Sequence, residues 1–239
     1  MFTNAVLSNT CGLAAGVFWL FAYVAIIRRG FKDRSLAMPM VALSANISWE
    51  AIFSFIYIPP NKLIHYSSII WFCFDLPIAL QCFLYGANNS QPKFIQKNFR
   101  LFFLASIAIS FLILVRFIYD FNDKKGAYSG YGINLMMSIL FVGMLIQRDG
   151  ILGQSIYIAL CKWLGTFFAF FASFFGSAID INATFNIHAL LTEIISNQTY
   201  LLKSTVKVLY PIIFMIDVLY IVLLYRQLRN NKLNPWTRL

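Results

Sequence analysis

Apolar residues recur along the chain in seven blocks of roughly 17–22 positions, divided by short polar stretches rich in Lys, Arg, Asn and Pro. Each block is long enough, at ~1.5 Å per residue, to cross most or all of a ~30 Å hydrocarbon layer as a helix. The first block runs from Leu7 to Ile27 and meets Arg28, Arg29, Lys32 and Arg34 at once. It has no basic stretch ahead of it and no good small-residue cleavage site, so a retained helix is expected rather than a signal peptide. The second, Leu36 to Tyr57, ends at Pro59-Pro60, and the third, Ser67 to Gly86, contains Pro77, where a kink is expected. The fourth ends near Ile118. The fifth is Tyr131 to Ile146, the sixth Gln154 to Phe175 and the seventh Val208 to Tyr225.

This pattern predicts an all-α integral membrane protein, a seven-transmembrane helix bundle forming one domain over residues 1–239. Positive charge orients it. The first and third connections and the C-terminal tail (Arg226, Arg229, Lys232, Arg238) are basic, and the others are mixed or weakly charged. The N-terminus is therefore expected outside or in the lumen and the C-terminus in the cytosol. The longest connection, 176–207, is an outer loop in that arrangement. Within it Phe185, His188, Leu191 and Ile195 recur at helical spacing, which predicts an amphipathic helix that caps a cavity or merely seals the bundle edge. Asn182-Ala183-Thr184 and Asn197-Gln198-Thr199 match the glycosylation acceptor pattern, a match that chance often produces.

Composition supports the class. Apolar residues make up 60 % and charged residues 12 %, with a mean hydropathy of +0.71, against about a quarter charged in soluble domains. A net charge of +10 would suggest nucleic acid in a soluble chain, but here the basic residues cluster at helix ends, where they set topology and meet anionic headgroups. Nucleic acid is not an expected partner; membrane lipid is. Cys11, Cys73, Cys82 and Cys161 fall in apolar segments without a CxxC pair and read as packing residues. Neither metal-ligand spacing nor a glycine-rich nucleotide motif is present in the sequence, so no cofactor and no metal are expected.

Three acids break the apolar blocks: Glu50, Asp75 and Asp217. An isolated carboxylate in hydrocarbon loses its hydration, so an acid there needs a partner or a function. Counted from the expected outer ends of their helices, all three lie on the order of 10–15 Å deep, as if walling one chamber. Asn46 precedes Glu50 by one turn and Phe53 follows it by three residues; Trp71 stands four before Asp75, and Tyr220 three after Asp217. With a second acid nearby in low dielectric, one carboxyl is expected to hold its proton, as a general acid must. Glu50, beside Trp49, is the expected donor, and Asp217 is expected to orient or recharge it. The plainer alternative for each acid is a structural hydrogen bond. Arg116 is the better placed cation, for a ligand head or an aspartate, whereas Lys162 either pairs with an acid or snorkels. Asp180 and Glu193 read as solvated loop acids.

Aromatic residues are 18 % of the chain, and Trp19, Trp49, Trp71 and Trp163 lie inside blocks rather than only at their ends. Aromatic faces attract cations by ~0.5–2 kcal/mol each. A protonated acid within an aromatic wall suits a carbocation cascade on an apolar substrate.

The Asn-x-x-Trp-Glu element at Asn46 to Glu50, the Trp-x-x-x-Asp element at Trp71 to Asp75, Asp-x-x-Tyr at Asp217 to Tyr220 and the tail Asn234-Pro235 are similar to those of a known family. They resemble the small integral-membrane terpene cyclases of fungal meroterpenoid and indole-diterpene pathways, which have bacterial relatives. The similarity covers nearly the whole chain. It implies a metal-independent enzyme that cyclises a prenylated aromatic or indolic substrate after protonating an epoxide or alkene, with no diphosphate ionised. It also implies that Glu50 and Asp217 are the essential acids. On that reading Asp75 assists Asp217, and Trp49, Trp71 and Tyr220 stabilise the cation, while Asn46, Phe53 and Arg116 are expected substrate contacts from their positions along the helices. An upstream prenyltransferase and epoxidase would supply that substrate. The membrane would be the endoplasmic reticulum in a fungus and the cytoplasmic membrane in a bacterium. A proton-coupled carrier is the alternative reading of intramembrane acids, and two related halves would favour it. A seven-helix receptor is a third, disfavoured by the lack of a lysine in the last block for a retinal link.

Overall fold

The computed structural model describes residues 4–59, 62–89, 93–148, 150–177, 192 and 194–239. Eight helices are described: α1 (Asn4–Asp33), α2 (Met40–Phe55), α3 (Lys62–Tyr85), α4 (Lys93–Lys97), α5 (Phe99–Asp120), α6 (Ala127–Gln147), α7 (Ile156–Phe175) and α8 (Ser204–Asn230). All but α2 and the short α4 are long and apolar enough to cross a membrane, which makes the protein a multi-span helical bundle.

Helix α2 is shorter than its apolar block. Pro39 stands in extended backbone (φ −58°, ψ 135°) just before it, so Leu36–Met38 form a buried, non-helical approach instead of a first helical turn. The remaining 16 residues span ~24 Å. Helix α3, by contrast, continues through Pro77.

Six helices close into a ring. α1 packs along α7, α7 against α8, α8 against α6, α6 against α2, α2 against α3, and α3 back on α1. α5 lies outside this ring, chiefly against α2. A continuous core that includes Tyr23, Leu43, Phe103, Phe141, Ile158 and Leu224 fills one half of the bundle.

The end of the bundle at which α1 and α6 finish and α7 begins is sewn together by charge. Asp33 accepts from Arg29, from the Gly153 backbone N–H (2.8 Å) and from Arg238 (2.7 Å). Arg148 donates to the Leu36 carbonyl at 2.7 Å. Arg29, counted above as a topological charge, is thus buried in an ion pair. The tail folds back over this end: Asn234-Pro235 opens a 3-10 turn, and Tyr157 donates to the Trp236 carbonyl at 2.7 Å.

Pro60, Asp180, Glu193, the acceptor sequence at Asn182 and the expected amphipathic helix, Ile195 apart, lie outside the described residues.

Candidate active site

A cavity of about 280 Å³ lies inside the ring, towards the end opposite the Asp33 cluster. α1 contributes Trp19 and Tyr23, α2 contributes Asn46, Trp49 and Glu50, and α3 contributes Trp71. α6 lines it with Gly130, Tyr131, Asn134 and Met137, and α7 with Ala169 and Ser173. Lys125, Gly126 and Leu201 form its rim.

Glu50 is the acid that reaches this space. It is 4 % exposed, and its Oε2 is buried without a hydrogen-bond partner among the described residues. One turn earlier, Asn46 commits its amide to two groups. Nδ2 donates to the Tyr23 hydroxyl oxygen at 2.7 Å and to Asp75 Oδ2 at 2.8 Å. Asn46 thus ties α1, α2 and α3 together just below the glutamate. Asp75 is fully buried behind this amide and does not itself line the cavity.

Helix α6 positions the aromatic wall through its first turn. The Asp123 carboxylate accepts from the backbone N–H of Tyr128 (3.1 Å) and Ser129 (2.8 Å), capping a helix N-terminus with negative charge. Ser129 Oγ donates to the same carboxylate at 2.7 Å and accepts from Trp49 Nε1 at 2.9 Å, so the indole is oriented by a relay that ends on Asp123. Gly126 has a positive φ of 69°, and a Cβ there would stand 2.5 Å from the Trp49 ring. Phe53 backs Trp49 at 4.6 Å between ring centroids. Gly165 of α7 makes the matching space for Trp19, whose ring would lie 2.7 Å from an added Cβ.

The rim is tied down by the same cap. Tyr200, in a 3-10 turn at Tyr200–Leu202, donates to Asp123, and its ring lies 4.9 Å from that of Tyr128. Burial first, and the Asp123 carboxylate beside it second, push the Tyr200 hydroxyl's pKa well above the usual tyrosine value. Leu201, the next residue, reaches the cavity.

Of the three acids that the sequence placed on one wall, the structure keeps Asp75 beside Glu50 through Asn46 and turns Asp217 away. Asp217 is not paired with Glu50. Its two oxygens accept from Lys162 Nζ at 2.7 and 2.9 Å, and Lys162 also donates to Ser138 at 2.6 Å. All three side chains are buried, so Lys162 does not snorkel. Equal depth along helices leaves the direction around each axis open, and here that direction turns Asp217 towards α7. Tyr220 points elsewhere too, donating to Gln154 at 3.0 Å and packing against Phe141. Arg116 is exposed on α5 and lines no part of the cavity. Of the expected substrate contacts, the structure brings together Asn46, Trp49 and Trp71 with Glu50, and keeps Phe53 one layer behind.

Tyr23 and Asn134 also line the cavity, beyond the residues to which the sequence pointed. Trp19-x-x-x-Tyr23 is one helical face and was a readable signal. Asn134 donates to Thr166 Oγ1 at 2.9 Å, while its Oδ1 is buried without a partner among the described residues. No group of three or more His, Cys, Asp or Glu side chains placed to hold a metal ion occurs among the described residues.

Comparison with known proteins identifies the family. Residues 2–226 match the family described as Pyr4-like transmembrane terpene cyclases. The chain is similar to a Pyr4-family terpene cyclase of Annulohypoxylon moriforme, 29 % identical over 160 residues, or 66 % of each chain. A terpene cyclase of Colletotrichum higginsianum is 27 % identical over 184 residues, 72 % of this chain and 68 % of that one. The asnovolin H synthase of Aspergillus novofumigatus is 22 % identical over 168 residues, 70 % of this chain and 69 % of that one. The chain thus spans about two-thirds of the length of the curated relatives it matches. No solved structure matches it. With a model match over nearly its whole length, this chain belongs to the Pyr4-like transmembrane terpene cyclases.

Proposed function

We propose that the protein is a membrane-embedded terpene cyclase in which Glu50, in its acid form, starts the reaction by protonating a prenylated substrate. The observation that carries this reading is the Glu50 Oε2 buried without a partner in a cavity walled by Trp19, Tyr23, Trp49 and Trp71. An acid with a free oxygen can meet the epoxide oxygen or terminal alkene of a prenyl chain. The surrounding rings can then stabilise the cation as it moves along the folded chain. Asn46 holds Asp75 within the same polar group, so Asp75, rather than Asp217, takes the role of orienting and recharging Glu50. A ring closure by the aromatic nucleophile, or loss of a proton to a base or water, ends the cascade.

In the membrane, α2 serves as a short seventh span, with the Asp33 cluster and tail on the cytosolic side and the Lys125 rim outside. The membrane is the endoplasmic reticulum in a fungal cell or the cytoplasmic membrane in a bacterial one. A prenyltransferase and an epoxidase upstream would supply the substrate. A carrier needs a path to both sides, whereas the described cavity has its rim at one end and the core beneath it.

Deuterium distinguishes the two initiation modes. The detergent-solubilised protein is incubated in D2O with a prenylated aromatic compound or its terminal epoxide. Either way the expected product is a cyclic isomer of the substrate. Alkene protonation leaves a carbon-bound deuterium, and epoxide protonation leaves only an exchangeable O–D. A protein that consumes neither class and instead moves them across vesicles would overturn the assignment.

A further inference from the structure

The buried lysine beneath the cavity has no part in the steps above, yet a buried ammonium is costly to keep. Lys162 is 2 % exposed, and its ammonium makes three hydrogen bonds: two to the oxygens of Asp217 and one to Ser138. Such a pair survives in low dielectric only while both members are present. It is also wired to the cavity wall. Ser138 donates to the backbone carbonyl of Asn134 at 2.9 Å, and Thr166, which accepts from the Asn134 side chain, donates to the Lys162 carbonyl at 3.0 Å. Asn134 and Met137, the residue before Ser138, both line the cavity.

We propose that Asp217 is a positioning residue that acts through Lys162: it cancels the lysine's charge directly under a chamber in which a carbocation must form, and it does not touch the substrate. The proposal rests on the cyclase reading for its cation. Its electrostatic content is separate. As long as Lys162 keeps its proton, loss of Asp217 leaves the chamber floor cationic, and with both residues neutral it is neutral again. At an effective dielectric constant of ~20, a bare unit charge ~10 Å away disfavours a second cation on the order of tenfold or more. A proton donor or a substrate ligand at Asp217 would not be replaceable in this way.

The test uses two probes of one shape, N-methylfarnesylamine as an ammonium mimic of the cation and farnesyl methyl ether as its uncharged counterpart. Their dissociation constants are measured by calorimetry on the full-length protein in detergent. Asp217→Asn is expected to weaken the amine about tenfold while the ether binds as before. Lys162→Met/Asp217→Asn is expected to restore the amine-to-ether ratio to within about threefold of wild type. Should Asp217→Asn fail to fold, the double variant, which strands no charge, still decides the question. A tenfold loss of amine preference in the double variant, with ether binding intact, would overturn the proposal, because Asp217 would then face the ligand itself. Glu50→Gln reports on the cyclase reading separately, since it should abolish turnover and leave the effect of Asp217→Asn on the probe ratio in place. Wild-type protein that takes neither probe would overturn the prenyl chamber and this proposal with it.

Discussion

The candidacy of Glu50 as the initiating acid rests on what its neighbours do not do. Asn46 spends both amide hydrogens on Tyr23 and Asp75 and leaves the glutamate's Oε2 for a ligand. Replacing Asn46 by Ala would strand the buried Asp75 carboxyl, a cost of ~1–3 kcal/mol. We expect kcat to fall on the order of a hundredfold with KM little changed, because the loss falls on proton delivery rather than on binding. Tyr23→Phe removes only one of the two acceptors, and a fall of about tenfold or less is expected. Steady-state kinetics on the two variants, with equal protein levels, checks the order. At this scale the pairing of Asn46 with Glu50 was legible, because a spacing of four along one helix fixes a shared face. The meeting of Trp71 with Glu50, by contrast, is made between two helices. Nor was the sequence legible for Asp217, Tyr220 or Lys162, whose partners lie on other helices at angles that no count along one helix contains.

Among the elements, the first turn of α6 decides the shape of the aromatic wall. Asp123 caps that turn, orients Trp49 through Ser129 and anchors the rim through Tyr200, three tasks for a residue that the sequence presents as a loop charge. Asp123→Ala should therefore cost ~1–2 kcal/mol of stability for the cap alone. It should also broaden the product profile, since Trp49 and Leu201 lose their common anchor. Thermal unfolding in detergent and chromatography of the products measure the two effects. Gly126→Ala is expected to be worse for activity than for expression: its positive φ disfavours any Cβ, and the added atom meets the Trp49 ring directly. The raised pKa of Tyr200 sets the sign of any pH effect on the rim. Its contribution is whole below the ordinary tyrosine value of ~10 and is lost only as pH climbs through the higher folded value. Rim docking should thus hold across the neutral range, as limited proteolysis near Tyr200 would report. Helix positions were readable from the apolar blocks, but Pro39 shortened α2 from a place where the block itself was unbroken.

Over the whole molecule, the ring of six helices divides the labour between its ends. One end carries the cavity, and the other is closed by the Asp33 cluster and the folded-back tail. The two ends should be separable by mutation. Arg238→Ala removes one charged partner of Asp33 and the bonds to Ile151 and Gln154, yet Arg29 and Gly153 remain. A loss of about 2 kcal/mol in stability is expected with kcat unchanged. Charge bias in the sequence gathers basic residues near this end, but could not show that Arg29 and Arg238 share one carboxylate across the length of the chain.

Initiation by Glu50 is open to one direct measurement. Membrane fractions holding wild type or Glu50→Gln at equal levels, given prenylated aromatic and epoxyprenyl substrates, are compared by product mass and retention time. A cyclic isomer of unchanged mass formed by wild type and absent from Glu50→Gln is the expected result. Undiminished cyclisation by Glu50→Gln would contradict the account.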